Sequence, residues 1–309
     1  LTKDSLDEMI GDLNKSKLIA FDILATNKLS MESKIIGFSF SVTKDKAYYV
    51  PLRYPEKVKN NFGEDDEKII LSKLTKIFED PSKLKTSHNI KFSSLILKKH
   101  GIDINGVYFD TVIAAHLINP EAKSSSLDTL SLELFGFEMI HFTDLIGKGR
   151  NQIKIVDVPL KKMAFYTSEC SDVCFQLTHL LMKRLEENGL VSYFKTIEIP
   201  LIKVLTEMEY FGTYVDSKLL KKMSQDIGQK LSYIVNSIYN LSGKDFNINS
   251  TQQLATILFD ELDLPKIKSR STAEPILKQL GELHELPRRI LDYRKYFKLK
   301  NTYLDSLQS

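Results

Sequence analysis

The chain has 309 residues, enough for two domains with a full core each. Its 27% charged and 42% hydrophobic residues are ordinary for a globular protein. No apolar run reaches the length of a membrane span and no signal peptide opens the chain, which argues against membrane-spanning and secreted classes. The net charge of +3 is unevenly spread: Lys266 to Lys300 holds ten basic residues against four acidic ones, a net +6, and the rest sums to −3. A basic end on a mildly acidic body fits a polyanionic partner, although a charge run is more commonly a solvated helix face. Cys170 and Cys174, the only cysteines, lie one helical turn apart, a poor disulfide geometry that predicts a reduced, cytoplasmic protein. The first residue is Leu1, as expected of a processed or excised piece.

Leu18 to Leu24 is mostly apolar and reads as a buried central strand that carries one carboxylate, Asp22. A buried charge needs a partner or a metal, so Asp22 is a candidate site residue; the bland alternative is a cap on the next turn. Ile35 to Val42 and Ala47 to Val50 are β-rich and joined by a short turn, an antiparallel start. Glu67 to Asp80 is an amphipathic helix and Leu84 to His88 a short strand. Helices follow at Ile90 to His100, Phe109 to Leu117 and Ser126 to Phe135, the first and last stopped by Gly101 and Gly136. Leu145 to Val158 is irregular, and its Gly147-Lys148-Gly149-Arg150 lacks the other residues of a phosphate-binding loop. Pro159 opens a long helix to about Asn188.

Strands first and helices interleaved later predict an α/β domain over residues 1 to 190. Beyond it the pattern predicts helices only: Thr196 to Phe211, Ser217 to Ser242, one to Leu262, one to Leu283, and a last one from Pro287 to about Leu307. Capping boxes are expected at Ser250 with Gln253 and at Ser271 with Glu274.

Phe21-Asp22, Asn89-Ile90-Lys91-Phe92, Phe109-Asp110-Thr111 and the run Tyr166 to Val173 fall in the order and spacing of a DEDD-type 3′–5′ exonuclease domain. Glu198 to Leu201 with Gly212, Val215 and Asp216 resembles the connecting helix of a family A DNA polymerase. Phe246 to Ser250 with Gln253-Leu254, and Leu291 to Arg294 with Lys298-Leu299 and Thr302-Tyr303, resemble its thumb. The chain therefore resembles the large fragment of the bacterial polymerase I type. The resemblance implies an RNase H-like mixed sheet flanked by helices over 1–190 and an all-α connecting helix and thumb over 191–309. The family's palm and fingers, with its polymerase carboxylates, lie outside these residues.

The resembled exonuclease reaction is phosphodiester hydrolysis by two divalent ions held by carboxylates. The family places Asp-x-Glu on the first strand; here it is Asp22-Ile23-Leu24. The family's second Asp is Ser93, and its third, four residues after the helix tyrosine Tyr166, is Cys170. Leucine binds no cation, a neutral hydroxyl binds weakly and a thiol prefers softer metals. One of four carboxylates remains, so the resemblance implies a vestigial site of Asp22, Leu24, Ser93, Tyr166 and Cys170 with no catalytic set intact and no metal bound. A sharper alternative is a shifted site of Asp22, Asp110, Glu169 and Asp172, though the last three match family positions outside the metal site, and Asp110 is expected to cap a helix. A redox or soft-metal role for Cys170 and Cys174 lacks further ligands at sensible spacing.

As a whole the resemblance implies part of a DNA-directed DNA polymerase acting in replication and repair, with a structural exonuclease-like domain and a thumb that grips duplex primer–template DNA. The alternatives are a working nuclease with a shifted site and a non-catalytic DNA-binding fragment. Expected DNA contacts are Asn249, Ser250, Lys266, Lys268, Arg270, Lys298 and Lys300. No cofactor is expected for this chain, Mg²⁺ is implied for the parent polymerase, and a monomer without membrane contact is expected. The stretch Leu264 to Thr272 is a few residues shorter than the family's thumb tip.

Overall fold

The computed structural model describes residues 3–27, 29–52 and 64–308; Leu1 and Ser309 lie outside them. The chain forms two compact units, Leu1–Gly212 and Thr213–Ser309.

The first unit opens with α1 (Lys3–Lys15), followed by β1 (Leu18–Ala25), β2 (Ile35–Thr43), β3 (Lys46–Pro51), α2 (Glu64–Glu79), β4 (Leu84–Ser87), α3 (Ile90–Lys99) and β5 (Val107–Asp110). The sheet order is β3-β2-β1-β4-β5. β1 pairs antiparallel with β2 and parallel with β4, so β1 is central and its backbone is paired on both edges. Alternation then sorts its side chains. Ile19, Phe21 and Ile23 join Phe38, Phe40 and Phe78 in one core, where the Phe21 and Phe78 rings meet edge-on at 5.1 Å. Leu24 packs on the other face against Ile36, Tyr49 and Met163. That face is covered by α7 (Leu160–Glu187), which follows α4 (Thr111–Ile118), α5 (Leu127–Phe135) and α6 (Phe142–Ile146).

After α7 come a short α8 (Val191–Tyr193), a π-turn at Phe194–Glu198 and α9 (Ile199–Phe211). The division expected at residue 190 falls at Gly212 by packing, because Ile199 and Ile202 of α9 reach the first core. Lys98 to Glu207 at 2.7 Å, and an ion pair of Lys91 with Glu209, fasten α9 to α3.

The second unit contains α10 (Ser217–Ser242), α11 (Thr251–Thr256), a π-turn at Ile257–Glu261, α12 (Glu274–Leu280) and α13 (Glu285–Lys298), the last continued by a π-turn at Leu299–Leu304. Its core gathers Ile238, Leu254, Leu258, Leu277, Leu286 and Ile290. An extended segment, Ile267–Arg270, departs from the all-helical expectation; its four residues are exposed, and Ser269 has φ 49.

Three further expectations are corrected. Phe109 and Asp110 end strand β5, and the helix begins only at Thr111, because Asp110 is its cap. Ser271 does not cap α12: its Oγ accepts from Ala273 N at 3.3 Å, and Ala273 is the capping position. The last helix starts at Glu285 rather than Pro287, with His284 Nδ1 accepting from Leu286 N. The Ser250 box is half formed. Ser250 Oγ accepts from Gln253 N, but Gln253 Oε1 turns to Asn247 N at 2.8 Å.

Candidate functional site: the Asp22 cleft and a basic segment

Asp22 and Leu24 sit two residues apart on β1 and share the face covered by α7. On α7, Tyr166 and Cys170 are four residues apart and so share one side of that helix. The fold thus brings Asp22, Tyr166 and Cys170 to the wall of one cavity of about 290 Å³. Asp22, Leu24 and Tyr166 also line a neighbouring cleft of about 810 Å³ with Asn89 and Phe92. Ser93 lines neither; it is buried in α3.

Burial dominates the electrostatics here. Burial pushes the Asp22 carboxyl up to about 6, offset in part by a backbone hydrogen bond from Ile23. Burial raises the Cys170 thiol far above its ordinary range, and the nearby Asp22 charge adds to the effect. Tyr166 is raised by burial and then by Cys170 and Asp22.

The residues present do not fit a pair of divalent ions. Leu24 is part of an apolar cluster with Ile146, Val158 and Met163. Among the described residues no three His, Cys, Asp or Glu side chains converge to hold a metal ion. Both cysteines are free and buried.

The carboxylates of the shifted-site alternative are dispersed into structural hydrogen bonds. Asp110 accepts from Ile90 N, Val112 N and Ile113 N. Glu169 accepts from Ile140 N at 2.8 Å. Asp172 accepts from Asp45 N and from Gln176 Nε2. The cavity instead recruits three residues that sequence reasoning missed, His88, Asp128 and His141. His88 Nδ1 meets Thr111 Oγ1 at 2.8 Å, and burial holds its imidazole down at about 4. His141 Nδ1 lies 3.1 Å from Asp128 Oδ2. His88 lies between β4 and α3, Asp128 in α5 and His141 just before α6, and no periodicity in the sequence connects them.

In the second unit, Lys266 and Lys268 are exposed and form no ion pair among the described residues. Arg270 makes a two-pronged pair with Asp260, one arm at 2.7 Å. Lys300 pairs with Asp305 at 2.7 Å, whereas Lys298 is exposed. Asn249 turns inward, its Nδ2 donating to Tyr293 Oη at 3.1 Å, and Ser250 caps α11. Of the expected DNA contacts, Lys266, Lys268 and Lys298 form no ion pair among the described residues, while Arg270, Lys300 and Asn249 have partners within the unit. Among the described residues no helix is long and apolar enough to cross a membrane.

Comparison with known proteins agrees with this geometry. Residues 1–186 match the family described as 3′–5′ exonuclease, and residues 217–309 match DNA polymerase family A. DNA polymerase I of Borreliella burgdorferi is 35% identical over 309 residues, covering 99% of this chain and 33% of the relative. DNA polymerase I of Pseudomonas aeruginosa is 33% identical over 321 residues, covering 99% of this chain and 34% of the relative. This chain thus spans about a third of the length of these relatives. Among solved structures, the POL domain of Pol1 from M. smegmatis, in complex with DNA primer-template and dNTP, shares the fold. Its TM-score is 0.78 at 22% identity, over 100% of this chain and 49% of that one. The chain belongs to DNA polymerase family A, with that family's 3′–5′ exonuclease domain over residues 1–186 and a segment of its polymerase domain over residues 217–309.

Proposed function

We propose that this chain is a portion of a DNA polymerase I that acts in DNA replication and repair, with a non-catalytic exonuclease-like unit and a helical unit that grips duplex primer–template DNA. The observation that supports the first half is the state of the ligand positions: Leu24 packs in an apolar cluster, Ser93 is buried and lines neither cavity, and burial keeps the Cys170 thiol neutral. A lone Asp22 does not offset the charge of two dications. The second half rests on Lys266, Lys268 and Lys298, exposed cations suited to phosphate contact. A cytoplasmic monomer needing no cofactor of its own completes the reading, with Mg²⁺ required only by the parent polymerase's catalytic carboxylates.

The test combines two assays on the 309-residue chain. Single-stranded DNA labelled at its end stays intact with Mg²⁺ or Mn²⁺, and a fluorescent duplex is bound in a salt-dependent way. Degradation that disappears in Asp22→Ala overturns the first half, and absence of duplex binding at low salt overturns the second.

A further inference from the structure

Two carboxylates, Asp22 and Asp128, line the cavity of about 290 Å³, and no Lys or Arg among the described residues lines it. The two differ in their surroundings. Asp128 is compensated: Oδ2 lies 3.1 Å from His141 Nδ1, and Oδ1 accepts from Ser126 Oγ and from Thr129 N. Asp22 accepts a backbone hydrogen bond from Ile23, and no side chain among the described residues bonds to it. A desolvated carboxylate of this kind is stabilised by a cation that enters with it into the low-dielectric site.

The rest of the wall selects the kind of cation. Among the described residues no three ligand side chains converge for a metal ion. The rings of Phe142 and Tyr166, with centroids 5.7 Å apart, and the side chain of Met139 give the cavity an aromatic and apolar surface instead. Aromatic faces attract an ammonium group, and an apolar wall accepts its alkyl stem. His88 lines the same cavity as a neutral imidazole. In the tautomer whose Nδ1–H donates to Thr111 Oγ1 at 2.8 Å, its Nε2 is left as an acceptor. Asp22, His88 Nε2 and Tyr166 Oη then supply three acceptors, one for each N–H of a primary ammonium. We propose that this cavity binds a primary alkylammonium, the group carried by diamines and polyamines, with its nitrogen held by Asp22, His88 and Tyr166 and its stem against Met139 and Phe142. The proposal rests on the reading that the cleft holds no pair of divalent ions.

Met139 is 4% exposed in the cavity wall, so its methyl group reports occupancy, while Met208 and Met223, 64% and 40% exposed, report loose binding elsewhere. The 309-residue chain, isotope-labelled at its methionine methyls, is titrated with n-butylammonium chloride and followed by NMR. The titration is run at about pH 8 in about 0.2 M salt, which screens surface charges. The expected result is a saturable shift of Met139, with Met208 and Met223 unmoved. Asp22→Asn should weaken the affinity at least about tenfold and Tyr166→Phe about threefold, as for loss of a charged and of a neutral hydrogen bond. The uncharged n-butanol, of the same length, should leave Met139 unmoved. No saturable shift, an equal affinity in Asp22→Asn, or an equal response to n-butanol overturns the proposal. If Asp22→Asn loses the methyl spectrum of the folded chain, Tyr166→Phe decides: weaker binding supports the proposal and unchanged affinity overturns it. Mn²⁺ added to a second sample separates the two readings. Broadening of Met139 by stoichiometric Mn²⁺ overturns both, whereas failure of n-butylammonium without such broadening overturns the ammonium site alone.

Discussion

The carboxylate of Asp110 holds Ile90: Oδ2 accepts from Ile90 N at 2.7 Å at the start of α3, while Oδ1 accepts from Val112 N at 2.8 Å at the start of α4. One buried side chain therefore satisfies orphan donors of two helices. Asp110→Ala leaves those donors unmatched in a site without water access and is expected to cost about 2–4 kcal/mol. Asp216→Ala, an exposed cap with one bond to Leu219 N, should cost about 1 kcal/mol. Urea melts of the two variants give the comparison; equal losses would mean that Asp110 works as a single cap.

Asp22 makes stability fall with pH. Its folded value near 6 exceeds the ordinary 3.8, so the folded state holds a proton that the unfolded chain releases between those values. Its contribution is full below about pH 4 and lost as pH rises through 6, a difference on the order of 3 kcal/mol at 1.36 per unit. Asp22→Asn removes the ionisation, so its advantage over the native chain should be small at pH 4 and largest at pH 8. Melts at both pH values check this, and an advantage independent of pH would contradict it.

Restoring the family's ligands should exchange stability for metal affinity. Leu24→Glu, Ser93→Asp and Cys170→Asp together place three carboxylates at positions 7%, 1% and 7% exposed. Without metal the triple variant should melt below the native chain, and Mn²⁺ should raise its melting temperature because it binds the folded state alone. Calorimetry showing no Mn²⁺ uptake would mean that position 93, which lines neither cavity, is out of reach.

Duplex binding should have a log–log salt slope of about −3 to −4 if three or four cations meet phosphates. Lys266→Ala with Lys268→Ala should flatten it by about 1.8, at roughly 0.9 per contact, for all sequences alike. Arg270→Ala should change it less, because Asp260 already holds that guanidinium. Fluorescence anisotropy at several salt concentrations measures the slopes, and an unchanged slope in the double variant would identify the run as a solvated face.

The central strand and the long helix α7 are legible because apolar runs and caps carry them locally, whereas the convergence of Asp22 with Tyr166 and Cys170 is implied only by the resemblance to the exonuclease family. α1 was missed, although Leu6, Met9 and Leu13 are all core residues, because a single turn-spaced row before the first strand has no flanking signal. Phe109 and Asp110 at the end of β5 fall inside the expected helix because the strand runs directly into the capped helix that Asp110 begins. The roles of His88, Asp128 and His141 arise from tertiary convergence alone. The engagement of Arg270 by Asp260 joins an extended segment to a π-turn, and no helix or strand spacing encodes that pair.

The packing of Leu24 against Ile36, Tyr49 and Met163 has a historical consequence. A leucine that fills a core site becomes part of what holds the sheet to α7, so a single return to glutamate loses that packing and buries a charge with too few companions to attract a metal. On the proposed reading of a non-catalytic unit, the leucine at that position acts as a ratchet. Each solitary step back toward a nuclease descends in stability before it can gain an activity, and only concerted changes at all three positions would make the path passable.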